Sequence, residues 1–192
     1  MADGRAVAAP DVGEDLRRLV AGRRRALGRL GMAAAIGCSA VPLAVSTAWT
    51  PVPLLVWNAS ASAPVGLYRL RPGAPVRRGD MVAAWAPGPA RALAARRQYL
   101  PAGVPLVKRV AAAAGDRVCA AAGVVSIDGR TVAKRRGSDF SGRPMPWWSG
   151  CRELRRDEYF LLMDSPASFD GRYFGVTRGD DVLGRAELLW AR

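Results

Sequence analysis

Between Leu30 and Trp57 the chain carries no charged residue, and this stretch limits the possible folds more than any other. A helix of roughly 20 apolar residues crosses the hydrocarbon layer of a bilayer, so there is room here for one membrane anchor. Arg17, Arg18, Arg23, Arg24, Arg25 and Arg29 lie directly before it. Positive charge of this kind stays in the cytoplasm, which puts everything after Trp57 on the far side. Pro42 is a site for a kink, and Trp49 and Trp57 suit the far interface. A cleavable leader is the competing reading, because Ser46-Thr47-Ala48 offers small residues at suitable spacing. The long charged N-terminus and the apolar residues that continue past that point favour an uncleaved anchor. The expected division is therefore 1–29 as a cytoplasmic, disordered and basic N-terminus, 30–57 as a transmembrane anchor, and 58–192 as an extracytoplasmic domain. Residues 1–15, with Gly, Pro and acids but no apolar periodicity, read as a disordered tail.

Composition next removes whole classes of chemistry. The chain has 192 residues and no histidine, so the Ser-His-Asp triad, the Cys-His pair and His-ligated metals are excluded. Nearly every basic residue is Arg, and Lys stands only at Lys108 and Lys134. Arg stays charged in proteins, whereas a desolvated Lys can lose its proton and act as a base. Lys108 has apolar neighbours on its strand, while Lys134 sits beside Arg135 and Arg136. The formal charge of +13 would suit phosphate binding, but apart from the N-terminal cluster the basic residues are dispersed, and no nucleic-acid partner is expected. No Cys-x-x-Cys spacing exists, so neither a metal nor another cofactor is expected. Cys119 and Cys151 fall in the outer domain, where a disulfide and two reduced, buried thiols both fit the spacing.

Beyond the anchor the sequence reads as short strands and turns. Strands are expected at 66–70, 81–85, 106–110, 159–163 and 182–189, and 86–103 reads as a loop or short helix. Asp128-Gly129 between two alternating apolar runs over 124–132 is the strongest hairpin signal. Residues 134–150, with Arg, Gly, Pro and Trp147-Trp148, suggest an exposed loop. Because side chains alternate along a strand, Lys108 can point inward while Arg109 meets water. The outer domain is thus expected to be mainly β.

A serine hydroxyl needs a base before it attacks, and without His the natural partner is a neutral amine. Burial lowers a Lys pKa by up to roughly 3 to 5 units, which makes Lys108 the candidate. The candidate hydroxyl is Ser62 in Asn58-Ala59-Ser60-Ala61-Ser62-Ala63-Pro64-Val65-Gly66-Leu67-Tyr68, just past the apolar segment. Four motifs follow in order: Ser-x-Pro after a membrane span, Arg78-Gly79-Asp80-Met81-Val82, Lys108-Arg109-Val110 with Gly115-Asp116-Arg117-Val118, and Asp164-Ser165 with Ser168-Phe169-Asp170-Gly171-Arg172-Tyr173-Phe174-Gly175. Together they resemble the type I signal peptidases, and the form around Ser62 looks like their conjugal-transfer branch, the TraF-type peptidases.

That resemblance implies a signal-peptidase-like β-sheet catalytic domain behind one N-terminal transmembrane helix. It implies a membrane-anchored serine endopeptidase in which Ser62 is the nucleophile and Lys108 the general base. The backbone N–H of Ser62 and the hydroxyl of Ser60 would stabilise the oxyanion, Ser168 would orient the lysine, and Asp170 and Arg172 would form a structural ion pair nearby. The implied location is the inner (plasma) membrane, single pass, with a periplasmic catalytic domain. The implied partners are membrane lipid and exported precursors, pilin-like or bearing signal peptides and cut after small side chains. An extracytoplasmic setting favours the Cys119–Cys151 disulfide. The close alternative is a pilin-maturing peptidase that also joins its product head to tail; a non-catalytic scaffold of a transfer apparatus is the alternative of a different class. Two positions depart from the family pattern: the Gly-Asp-Asn opening of the last box is Met163-Asp164-Ser165, and the Leu-Pro-Gly-Asp run after the lysine is Ala113-Ala114-Gly115-Asp116.

Overall fold

A computed structural model of the chain describes residues 52–192 and, N-terminal to them, 22–23, 27–34 and 36–38. The N-terminal pieces are helical and exposed. The tail expected at 1–15 and most of the anchor expected at 30–57 lie outside the described residues. Among those that are described, no helix is long and apolar enough to cross a membrane. The chain divides into two units, Met1–Pro51 and Val52–Arg192. Leu55, Val56 and Trp57, expected to end the apolar span, belong instead to the first strand of the second unit.

The second unit is mainly β. Its larger sheet has seven strands in the order β1-β2-β11-β3-β4-β9-β10, comprising β1 (Leu55–Asn58), β2 (Gly66–Arg71), β3 (Met81–Ala84), β4 (Leu106–Ala112), β9 (Glu158–Leu161), β10 (Thr177–Arg178) and β11 (Val182–Ala191). A four-stranded sheet runs β7-β6-β5-β8, from β5 (Arg117–Ala121), β6 (Val124–Ile127), β7 (Arg130–Lys134) and β8 (Gly150–Glu153). All of these pairings are antiparallel. Two helices interrupt them, α1 (Gly88–Arg96) and the single turn α2 (Gly171–Phe174).

The centre of the larger sheet is covered on both faces, which explains its apolar runs where one-sided strands would alternate. Ala83 and Val107 pack with Val56, Tyr68, Leu70 and Met163 on one face, while Val82, Ala84, Val110 and Leu161 pack on the other. Each large apolar side chain fully buried in such a core contributes roughly 1.5 to 3 kcal/mol. On β4 the alternation puts Leu106, Lys108 and Val110 on one side. Leu106 there meets Ala86 and Ala90, with Phe169 and Phe174 packed alongside, so a helix and the chain after Asp164 roof the lysine.

The smaller sheet buries Val118, Ala120, Val125 and Ile127 against Ala112, Phe160 and Leu162. Its hairpin turns at Asp128 and Gly129, both at positive φ (50° and 78°), the conformation a two-residue turn between twisted strands needs. Cys119 faces Cys151 across β5 and β8, and the two are joined in a disulfide. Residues 134–150 form the largely exposed loop expected of them, pinned to the domain at a few points. Arg135 and Met145 are buried, and Ser138 bridges to Pro144. The guanidinium of Arg135 also lies 4.2 Å from the centre of the Trp147 ring.

Candidate active site

Ser62 sits in the loop that joins β1 to β2. Polar backbone in such a tight loop must find partners, and here one side chain supplies them. The amide of Asn58 donates to the carbonyls of Ser60 (2.9 Å), Ala63 (3.3 Å) and Pro64 (3.0 Å), and its oxygen accepts from the Ser60 N–H at 3.1 Å. The Tyr68 hydroxyl, from β2, donates to the Pro64 carbonyl at 2.8 Å. The sequence motif contains Asn58, but nothing in sequence spacing reveals that its amide spans three carbonyls. Behind the loop, a Cβ on Gly66 would come 2.0 Å from the Trp190 carbonyl oxygen, so only glycine lets β2 and β11 close at this point.

Lys108 reaches this loop from β4. Its Nζ donates to Ser62 Oγ at 2.6 Å and to Ser168 Oγ at 2.9 Å, and the residue is only 3% exposed. Burial pushes its pKa down to about 8, opposed by the negative charge of Asp170 and aided by the positive charge of Arg172. Lys134, the other lysine, is exposed. Ser60 Oγ lies 2.9 Å from Ser62 Oγ and accepts from the Ser62 N–H at 3.4 Å. Ser62, Lys108, Ser60 and Ser168 therefore form one connected cluster of three hydroxyls and an amine.

Asp170 and Arg172 stand beside it. Arg172 Nε donates to Asp170 Oδ1 at 2.8 Å and Nη2 donates to Oδ2 at 3.1 Å. The carboxylate also accepts the backbone N–H groups of Met163 and Arg172. The guanidinium in turn donates to the Met163 carbonyl. This carboxylate is committed to Arg172 and the backbone, and the ion pair ties the start of α2 to the end of the chain segment following β9. Of the departures from the family pattern, Asp164 pairs with Arg109 and the Met163 sulfur lies 3.2 Å from the Arg109 N–H. Asp116 accepts from the Ala113 N–H at 2.9 Å, closing the turn after β4. Cys119 and Cys151 lie in the smaller sheet, among residues that take no part in this cluster.

Ser62 lies between two depressions. One, of about 280 Å³, also borders Ser60, Ser168, Tyr99 and Phe169; the other borders Ala63, Pro64, Met81, Met163 and Leu188. Sequence reasoning missed the polar wall of the first. Asp139 accepts from the Tyr99 hydroxyl and from Arg143, and Arg97 stands 3.5 Å from it. Burial acts to raise the Asp139 carboxyl, but the hydrogen bonds from Tyr99, Arg143 and Ser141 outweigh it and hold the group well below the usual range. Among the described residues no cluster of His, Cys, Asp and Glu could hold a metal. A buried amine held against a hydroxyl, with further hydroxyls around both, is an arrangement able to activate that hydroxyl.

The family described as "Signal peptidase, peptidase S26" matches residues 27–191. The chain is 37% identical over 141 residues to the probable conjugal transfer protein TraF of Sinorhizobium fredii (strain NBRC 101917 / NGR234), covering 68% of this chain and 73% of that protein. It is 34% identical over 146 residues to the plasmid transfer protein TraF of Escherichia coli, covering 69% and 82%. A signal peptidase I from Enterococcus faecalis V583 aligns structurally with a TM-score of 0.34 and 19% identity, covering 58% of this chain and 96% of that one. Matched by the family over most of its length and by two TraF proteins at 37% and 34% identity, the chain belongs to the signal peptidase S26 family, on its TraF-type branch.

Proposed function

We propose that this protein is a membrane-anchored serine endopeptidase that cuts exported precursors after small side chains, with Ser62 as nucleophile and Lys108 as general base. The observation that carries the reading is the 2.6 Å contact between Lys108 Nζ and Ser62 Oγ, made by an amine whose pKa is lowered to about 8. At pH 7 such an amine is neutral in about a tenth of molecules, enough to take the Ser62 proton as Oγ attacks a carbonyl. The Ser62 N–H, which in the resting site donates to Ser60 Oγ, and the Ser60 hydroxyl would turn to the oxyanion, a contribution of about 3 to 4 kcal/mol per donor in comparable enzymes. As the tetrahedral adduct collapses, the Lys108 ammonium returns the proton to the leaving amine. Water, activated by the same amine, then hydrolyses the acyl-enzyme. Ser168, which accepts from Nζ, keeps the amine aimed through both steps. Because its relatives are named as conjugal and plasmid transfer proteins, the substrate proposed is a precursor in a conjugal-transfer system, such as a pilin.

The test is mass spectrometry of a candidate pilin precursor incubated in detergent with the full-length wild-type chain and with Ser62→Ala. A cleaved product with wild type and an intact precursor with Ser62→Ala is the expected result. A product lighter by one water than the cleaved linear chain would mark an amine, and not water, as the acyl acceptor. Equal processing by the two proteins would overturn the assignment of Ser62.

A further inference from the structure

The depression of about 280 Å³ beside Ser62 is more than open space around a nucleophile. Its walls are Tyr99, Phe140, Met145, Phe169 and Tyr173, none of which takes part in the chemistry above. Phe169 stacks on Tyr173 with ring centres 6.1 Å apart and planes 14° apart, and Tyr99 lies 5.4 Å from Phe169. Met145 is buried. The opposite wall is the segment after β7, fixed in place by Asp139: it accepts from Tyr99 and Arg143 and also from the backbone N–H groups of Ser141 and Arg143. Every one of these bonds holds the wall, and the carboxylate is thereby spent. At the rim, Phe140 is 81% exposed, its ring 4.7 Å from the Arg136 guanidinium. An aromatic side chain displayed to water at the mouth of an aromatic cleft is a surface waiting for an apolar group.

From this arrangement we infer that the cleft is a specificity site for one bulky apolar or aromatic side chain of the precursor, within about three residues of the bond that is cut. The inference rests on the peptidase reading, because it is Ser62 and Ser168 at the floor of the cleft that tie it to the scissile bond. An extended peptide advances about 3.3 Å per residue with alternate side chains on opposite sides. A chain laid across Ser62 therefore sends a neighbouring side chain into the cleft. Ring-on-ring contact with Phe169 and Tyr173 favours an aromatic occupant over an aliphatic one, and a basic side chain is disfavoured because the Asp139 oxygens are already taken by Tyr99, Arg143 and the Ser141 N–H.

The experiment uses peptides that share a small-residue cleavage site and carry a single Phe, moved stepwise from three positions before the cut to three after, with an all-Gly or Ala reference. They are cleaved by the full-length chain in detergent, and kcat/KM is compared among wild type, Phe140→Ala, which removes the rim, and Ser138→Trp, which fills the cleft. One Phe position is expected to raise kcat/KM about tenfold over the reference, and both variants lose that gain while cleaving the reference peptide like wild type. Cleavage of the series with no favoured position, or with a preference unmoved in both variants, would overturn the inference. Binding separates this from the peptidase reading. In Ser62→Ala, saturation-transfer NMR is expected to show the Phe ring of the favoured peptide, or of all of them if none is cleaved, in contact with protein, with the signal lost on adding Phe140→Ala. Ring contact without any cleavage by wild type would sink the peptidase and leave the site; cleavage with no ring contact would do the reverse.

Discussion

Asp170 and Arg172 face one another at 2.8 Å with side chains 0% and 2% exposed, and they set the electrical surroundings of the lysine beside them. The carboxylate alone would hold Lys108 as an ammonium, and the guanidinium offsets it. Removing only Arg172 leaves a buried, unpaired carboxylate. Arg172→Met is expected to destabilise the fold by roughly 3 to 5 kcal/mol, read from urea unfolding, and to shift the ascending limb of the activity profile to higher pH. The double variant Asp170→Leu with Arg172→Met is expected to recover most of the stability. A double variant as unstable as Arg172→Met alone would show that the pair matters through its shape and not its charge.

The pH dependence has a definite sign. Lys108 titrates near 8 in the folded chain against 10.5 for a free side chain, so kcat/KM rises as pH rises through about 8 and the base becomes neutral. Between those values the folded state holds fewer protons than the unfolded one, and the free energy of unfolding therefore also rises with pH across that window. Below it the penalty for burying the ammonium is fully present. Lys108→Met, of similar length and no charge, is expected to be inactive yet more stable at pH 7, by on the order of 3 kcal/mol. Denaturation curves at pH 7 and pH 10 check this; a wild-type stability flat over that range would contradict the burial argument.

Asn58 is expected to matter as much for activity as for stability. Its amide serves three carbonyls of the nucleophile loop, so Asn58→Ala strands buried acceptors at a cost of roughly 1 to 3 kcal/mol. The displaced Ser62 should lower kcat about a hundredfold, since misplacement by about 1 Å near the chemistry costs that much. Asn58→Asp should be worse than Asn58→Ala, because a carboxylate facing the same carbonyls repels them. Wild-type activity in both variants would mean that the loop holds its shape without this side chain.

On one face of the larger sheet, where β1 and β11 flank β2, Trp57 and Trp190 lie 5.8 Å apart, and Leu55, two residues from Trp57 on β1, is also exposed. Tryptophan and leucine in one outward patch suit the interfacial layer of a bilayer. The double variant Trp57→Ser with Trp190→Ser is expected to cleave a soluble peptide like wild type and a precursor reconstituted in liposomes several-fold more slowly. A parallel loss on both substrates would assign the patch to folding instead.

The residues of the candidate site are more legible in the sequence than the contacts that hold them. Lys108 stood out because a chain written almost wholly in Arg keeps a lysine on an apolar strand, and the Asp128-Gly129 turn because only positive φ serves there. Helix α2 and strand β8 escaped notice: a single turn and four exposed residues carry no periodicity to detect. The loop at 134–150 is largely exposed, as its composition implies, but the points that pin it are distant in sequence. Arg135 is held by the Trp148 carbonyl, Asp139 by Tyr99 forty residues earlier, and neither contact leaves a local pattern. Asn58 was visible as a letter in a motif, yet its function needed three carbonyls brought together by the turn itself.

The abutment of Gly66 and Trp190 has a consequence for how the protein can change. The serine-bearing turn springs from a strand whose first residue is jammed against the backbone of the last strand, with the Arg192 N–H bonded to the Val65 carbonyl at 2.9 Å. A disturbance of the end of β11, such as a tag fused after Arg192, is therefore expected to reach Ser62 Oγ across a few residues. The start of β2 and the end of β11 behave as one clasp, and loosening either should slacken the turn that carries Ser62.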